Sequence, residues 1–164
     1  MKVKLFRFIA ITVTVLWMLL IFSFSAQNAT KSASLSKGLK YKLFSLVYPD
    51  FDEMTEDEQQ ELLDKFPIRK LAHFFAYSVL GILSWLSFVS YKKITYKLRC
   101  VYPFFICVIY AVSDELHQYF VAGRSCELRD VVIDSSGALL AIIIISLYSG
   151  FSKRIYQRIK SEEC

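Results

Sequence analysis

Apolar residues along this chain gather into four blocks, about 5–24, 68–89, 100–122 and 131–148, with most of the charged residues in the stretches between them. Each block is roughly 18 to 23 residues long, enough for a helix to cross about 30 Å of hydrocarbon. The connections "YKKITYKLR" and "GRSCELRD" are too short to hold a further element. The connection between the first and second blocks is longer and has its own pattern. Leu35, Leu39, Leu43 and Leu46 recur three or four apart with Lys37, Lys40 and Lys42 among them, the spacing of a helix lying in a membrane interface. Further on, Thr55 and Glu58 stand in capping-box spacing ahead of a short helix that must stop before Pro67. The pattern predicts an all-α, polytopic membrane protein: one domain over 1–164, four transmembrane helices, and an extracytoplasmic insert over 28–66 containing short helices.

Composition agrees with this picture and narrows it. The chain has 164 residues, 55% of them hydrophobic, and a net charge of +5. A soluble chain would spread those apolar residues at period 2 or 3.6, whereas here they are blocked. The basic excess comes without a basic face interleaved with aromatics, so it reads as membrane topology rather than nucleic-acid binding. Lys2, Lys4 and Arg7, then Lys92, Lys93, Lys97 and Arg99, then Lys153, Arg154, Arg158 and Lys160 mark three connections as cytoplasmic. Both termini are then inside, and the insert and the 123–129 loop face outward. The first block has two readings, a signal peptide with a small-x-small site ending at Ser25 and an uncleaved signal anchor. The four cysteines include no CxxC pair, and the terminal "SEEC" is not a prenylation box, so they read as unpaired thiols.

The polar residues inside the blocks fall at one level of the bilayer. Ser25 and Gln27 end the first helix on the outer side, and Arg69, Lys70, His73 and Tyr77 begin the second there. Asp114, Glu115, His117 and Gln118 occupy the outer part of the third, while Asp130 and Asp134 begin the fourth. At 100° per residue each set forms a stripe, and Gly81, Gly137 and Ala141 continue two of them inward with residues small enough for close helix contact. A central Asp or Lys facing lipid costs roughly 2.5 to 3.5 kcal/mol on insertion scales, less near the interface. The stripes therefore point into the bundle, where the acids must be paired, protonated or open to an outward water-filled cavity, with Arg69, Lys70, Arg124 and Arg129 as the candidate partners. The arrangement reads as a binding or catalytic pocket open to the outside. A packing network that sets helix register is the alternative reading of the same residues. His73, His117 and the carboxylates include metal-ligand types, yet no HExxH or similar spacing occurs, and the expectation is no metal and no cofactor.

"SDELHQYFVAGRSCELRDVVIDSSG" resembles the signature of the VanZ-like family of bacterial membrane proteins. That pattern is D-E-x-x-Q, an Arg six positions on, an Asp six later, then Asn or Asp and a Gly. Here these are Asp114, Glu115, Gln118, Arg124, Asp130, Asp134 and Gly137. Lys70, His73 and Tyr77 match a second family feature, and Ser25 with Gln27 a third. Two positions depart, Asp134 where Asn is frequent and Ala122 where Pro often precedes the Gly-Arg. The resemblance implies that the first helix is retained, since cleavage would part Ser25 and Gln27 from the bundle. It also implies a cell-membrane location, the lipid bilayer as surroundings, a lipid-linked or amphiphilic envelope component as partner, and a link to resistance against the glycopeptide teicoplanin. It assigns no catalytic residue. Should there be chemistry, Glu115 or Asp114 would serve as general base, with His73 shuttling a proton and Lys70 and Arg124 holding an anionic group.

Overall fold

A computed structural model describes the backbone over residues 2–91 and 93–162, and side chains over 3–91 and 93–151. Lys92 and Cys164 lie outside the described residues, as do the side chains of Lys2, Lys153, Arg154, Arg158 and Lys160. The described chain is mostly helical, without strands. Helix α1 spans Lys2–Ser25, α2 Ala29–Val47, α3 Glu56–Lys65, α4 Ile68–Val89, α5 Tyr96–Tyr119 and α6 Leu128–Glu162, with a 3-10 turn at Phe51–Glu53. Four stretches are long and apolar enough to cross a membrane: Val3–Ser25, Glu56–Val89, Tyr96–Tyr119 and Leu128–Phe151. In the second of these α4 is the apolar part, because α3 is strongly acidic.

Helix boundaries differ from the apolar blocks for local reasons. Helix α5 starts at Tyr96 because the Thr95 hydroxyl accepts the Leu98 N–H, the role of an N-cap. Helix α6 starts at Leu128 and runs on to Glu162, well past the apolar block that ends at 148. Hydrophobic patterning measures the lipid-facing part of a helix, and nothing after residue 148 breaks the chain: its single glycine, Gly150, is tolerated and there is no proline.

Helix α4 is the centre of the bundle, packing on α6 most extensively and also on α1 and α5. Its closest approach is to α6. A Cβ on Gly81 would stand 2.7 Å from the Ala138 carbonyl oxygen, and one on Gly137 would collide with the Phe74 carbonyl. The Ser78 hydroxyl bridges the same seam, donating to the carbonyl of Phe74 at 2.8 Å or of Gly137 at 3.1 Å. Without a hydrophobic drive between helices in lipid, such close packing and interhelical hydrogen bonds supply the association. Trp17 ties α1 to α4 through the Ala76 carbonyl at 2.9 Å, and the Tyr110 hydroxyl ties α5 to α1 through the Met18 carbonyl at 2.6 Å. At the end away from the insert, Arg7 donates to the Ser90 hydroxyl and carbonyl at 2.9 and 2.7 Å and lies over the Tyr91 ring. The outward sides of the spanning helices carry exposed apolar residues such as Phe8, Leu16, Phe105, Ile109, Ile144 and Leu147. These are the surfaces for lipid.

The insert has a small core of its own, in which Phe44, Phe51 and Leu63 are buried with Met54, Leu62 and Phe66 against them. The Thr55–Glu58 capping box forms, opening α3. Lys40 of α2 donates to the Leu63 carbonyl at 2.6 Å, a second bond beside the Phe66 N–H at the end of α3. Leu35, Leu39 and Leu46 of α2 remain exposed, as an interfacial helix requires.

Candidate functional site

The polar ends of α1, α4, α5 and α6 converge beneath the insert. Asp114, Glu115 and Gln118 of α5 and Asp134 of α6 are buried, as is Ser25 at the last turn of α1. The Ser25 hydroxyl donates to Asp114 Oδ2 at 2.8 Å, and the Gln118 amide donates to the same oxygen at 3.3 Å. Arg124 donates from Nη1 to Gln118 Oε1 at 2.9 Å and from Nε to the Gln27 carbonyl at 3.3 Å. One relay thus joins the end of α1, the end of α5 and the loop before α6. Gly123 makes the turn feasible by adopting a φ of +75°, where a side chain would be strained. The Ala122 carbonyl, just before it, accepts the Ala29 N–H at the start of α2.

Glu115 serves a different element. Its Oε2 accepts the Glu127 N–H at 3.0 Å, placing a buried acid at the N-terminal end of α6, where the helix dipole favours negative charge. Lys70 lies 3.3 Å from Asp130 and 3.6 Å from Glu127, and His73 Nδ1 lies 3.6 Å from Asp134 Oδ2. The Tyr77 hydroxyl is fully buried and has no hydrogen-bond partner. Burial lowers the Arg124 pKa, with the charge of Arg69 acting in the same direction. A guanidinium nevertheless stays protonated.

All eleven residues expected from the sequence gather at this end of the bundle, but several partnerships differ from those expected. Among the described residues, none of Arg69, Lys70, Arg124 and Arg129 comes within ion-pair distance of Asp114, Glu115 or Asp134. Asp114 is held instead by a serine hydroxyl and a glutamine amide and Glu115 by a backbone N–H, while Asp134 faces His73 without a hydrogen bond. Arg69 and Arg129 are exposed. His117 leaves the acid group and lies against the Phe22 ring of α1, with ring centres 4.3 Å apart. It lies one residue off the arc of the acid pair, which turns it toward α1.

Two cavities open here. A polar one of about 500 Å³ is lined by Lys70, His73, Gln118, Arg124, Asp130 and Asp134 from the bundle, and by Lys37, Lys40 and Gln60 from the insert. An apolar groove of about 620 Å³ runs between α1, α4 and α2, walled by Trp17, Phe24, Leu35, Leu39, Phe75 and Val79. The two share Ser36, Ile68, Arg69, His73 and Arg124. The insert carries no chemistry in its sequence pattern, yet it forms a wall of both cavities. The signal for this lay in the lysines interleaved with leucines on α2. Glu127, which joins both Glu115 and Lys70, was not expected either.

Four apolar spans around a buried polar core define a multi-pass, all-α membrane protein. The VanZ/LLP1 family model matches residues 9–149, nearly the whole bundle, and the chain belongs to that family. No curated protein and no solved structure matches it.

Proposed function

We propose that this VanZ/LLP1 protein sits in the bacterial cell membrane with both termini cytoplasmic and its cavities outward, and that it binds an amphiphilic, anionic component of the cell envelope. The shared wall of the two cavities carries the reading. A polar chamber bordered by Lys37, Lys40, Arg69, Lys70 and Arg124, against Asp64, Glu127, Asp130 and Asp134, keeps cations for an anionic headgroup, and the apolar groove beside it suits the attached chain. The groove lies against exposed leucines of an interfacial helix, so an amphiphile reaches it laterally from the bilayer. A contribution to protection against teicoplanin, which acts on cell-wall precursors outside the membrane, fits such a ligand.

Native mass spectrometry of the protein extracted from membranes in mild detergent tests the reading. An anionic lipid adduct is expected on the wild type, weakened by Arg69→Ala and blocked by Ala72→Trp in the groove. A wild type without any adduct, or adducts equal in all three proteins, would sink it. For protection, cells expressing the wild type should tolerate more teicoplanin than cells expressing Ala72→Trp at equal membrane levels.

The relay from Ser25 through Asp114, Gln118 and Arg124 to Gln27 favours a second reading, in which the polar cluster locks the helices of a non-catalytic accessory protein. Variants of Glu115, Gln118, Arg124 and Asp130 would then disappear from the membrane rather than lose protection while present.

A further inference from the structure

The buried ends of α4, α5 and α6 hold an acid pair that, among the described residues, no lysine or arginine approaches within ion-pair distance. Lys70 is engaged by Asp130 and Glu127, and Arg124 by Gln118 and the Gln27 carbonyl. Asp134 is completely buried, and neither of its carboxylate oxygens has a hydrogen-bond partner. Asp114 has its Oδ2 satisfied by Ser25 and Gln118, but its Oδ1, also buried, has no partner. His73 Nδ1 faces Asp134 at 3.6 Å, too far for a hydrogen bond. One ligand atom from each of His73, Asp114 and Asp134 lies within 4.8 Å of the other two. The fully buried Tyr77 hydroxyl is likewise unpartnered among the described residues.

We infer that His73, Asp114 and Asp134 form a binding site for a divalent transition-metal cation. A doubly charged ion neutralises two carboxylates at once and supplies the partner that their free oxygens lack, where leaving them unpaired is costly. Two ligands bound at about 2.1 Å stand at most ~4.2 Å apart, so rotation of one or two side chains closes the set. One imidazole nitrogen with two carboxylates selects Zn²⁺, Mn²⁺ or Fe²⁺ over Ca²⁺, which takes 6–8 oxygen ligands. Access is already provided, because His73 and Asp134 line the polar cavity. The Ser25 hydroxyl and Gln118 amide on Asp114 Oδ2 leave Oδ1 directed to the ion, the orienting role that outer partners play at metal sites. The ligands come from three helices, which is why no linear metal motif appears in the chain. The site stands whether or not the neighbouring groove takes a lipid.

Elemental analysis of the full-length protein in detergent, stripped with EDTA and then dialysed against Zn²⁺ or Mn²⁺, provides the test. About one equivalent per chain is expected, with thermal unfolding moved upward by the metal and back by EDTA. His73→Gln and Asp134→Asn, each confirmed as folded by circular dichroism, should bind at least about tenfold more weakly. Cys126→Ser, which removes an exposed thiol, should bind as the wild type does. The inference fails if the wild type retains no metal and its unfolding does not respond to either ion. It fails equally if binding survives in both His73→Gln and Asp134→Asn. Should Asp134→Asn not fold, His73→Gln decides alone, because that side chain is partly exposed and glutamine keeps a polar group beside Asp134.

Discussion

Ser25 and Asp114, 89 residues apart, are joined by a 2.8 Å hydrogen bond between the last turn of α1 and the buried face of α5. Helix α1 packs mainly on α4, and this bond, the Tyr110–Met18 bond and the Phe22–His117 ring contact join it to α5. Hydrogen bonds to a carboxylate contribute about 1.5–3 kcal/mol, and an orphaned buried partner raises the loss further. Ser25→Ala should therefore lower stability by about 2 kcal/mol, read from thermal unfolding in detergent. Asp114→Asn should then cost about 1 kcal/mol less in the Ser25→Ala background than in the wild type. Additive losses would show that the bond carries no coupling.

The α4–α6 seam makes the opposite demand, for the absence of atoms. Gly81→Ala places a Cβ 2.7 Å from the Ala138 carbonyl oxygen, and backbone cannot move aside as a side chain can. Overpacking of this kind costs about 1–3 kcal/mol. Gly38→Ala on α2 meets nothing within 4 Å and should instead stabilise by about 0.5–1 kcal/mol, the difference in helix propensity. Opposite shifts in unfolding temperature for the same chemical change are expected, and equal shifts would contradict the close seam.

How much of this was legible in the sequence depends on the range of the force involved. Hydrophobic burial acts over whole helices, so the four spans and the common level of their polar stripes follow from block length and the 3.6-residue period. Gly81 and Gly137 were legible for the same reason, since close helix contact selects by size alone. Pairing is different, because it is decided by atoms contributed from distant segments. Asp114 was expected to seek a cation and found Ser25, while Glu115 found the Glu127 N–H. Neither outcome is encoded in helical phase. The insert shows the same limit: its leucines and lysines announce an interface, but the tertiary arrangement makes it a wall of the cavity.

Glu115 tests whether its role is that of an acceptor or of a charge. Glu115→Gln keeps a side-chain oxygen for the Glu127 N–H and should cost less than about 1 kcal/mol, whereas Glu115→Ala orphans that donor at a loss of about 1–3 kcal/mol. Hydrogen exchange would localise the effect, with faster exchange at Glu127 and the first turn of α6 in Glu115→Ala alone. Equal exchange in both variants would remove Glu115 from the cap.

Lys70 should separate stability from binding. Its ion pairs to Glu127 and Asp130 involve side chains that are 35%, 48% and 31% exposed, and such pairs contribute less than about 1 kcal/mol. Lys70→Met should thus unfold nearly as the wild type does. Retention of an anionic lipid should fall, and its dependence on salt should become shallower, since one fewer cation faces the cavity. A large loss of stability with unchanged lipid retention would assign Lys70 to the scaffold.

Arg124 is the residue on which the lock and the ligand readings diverge. Its guanidinium spans two acceptors on different elements, Gln118 Oε1 at 2.9 Å and the Gln27 carbonyl at 3.3 Å. An ammonium preserves the charge but presents a single point of donors and does not reproduce that fork. Arg124→Lys should therefore lose about 1–2 kcal/mol of stability while still attracting an anionic headgroup. Arg124→Ala should lose both. If Arg124→Lys unfolds as the wild type does, the relay is not the element that fixes the loop before α6. If it unfolds early yet retains the lipid adduct, the geometry of the fork serves the helices and its charge serves the cavity.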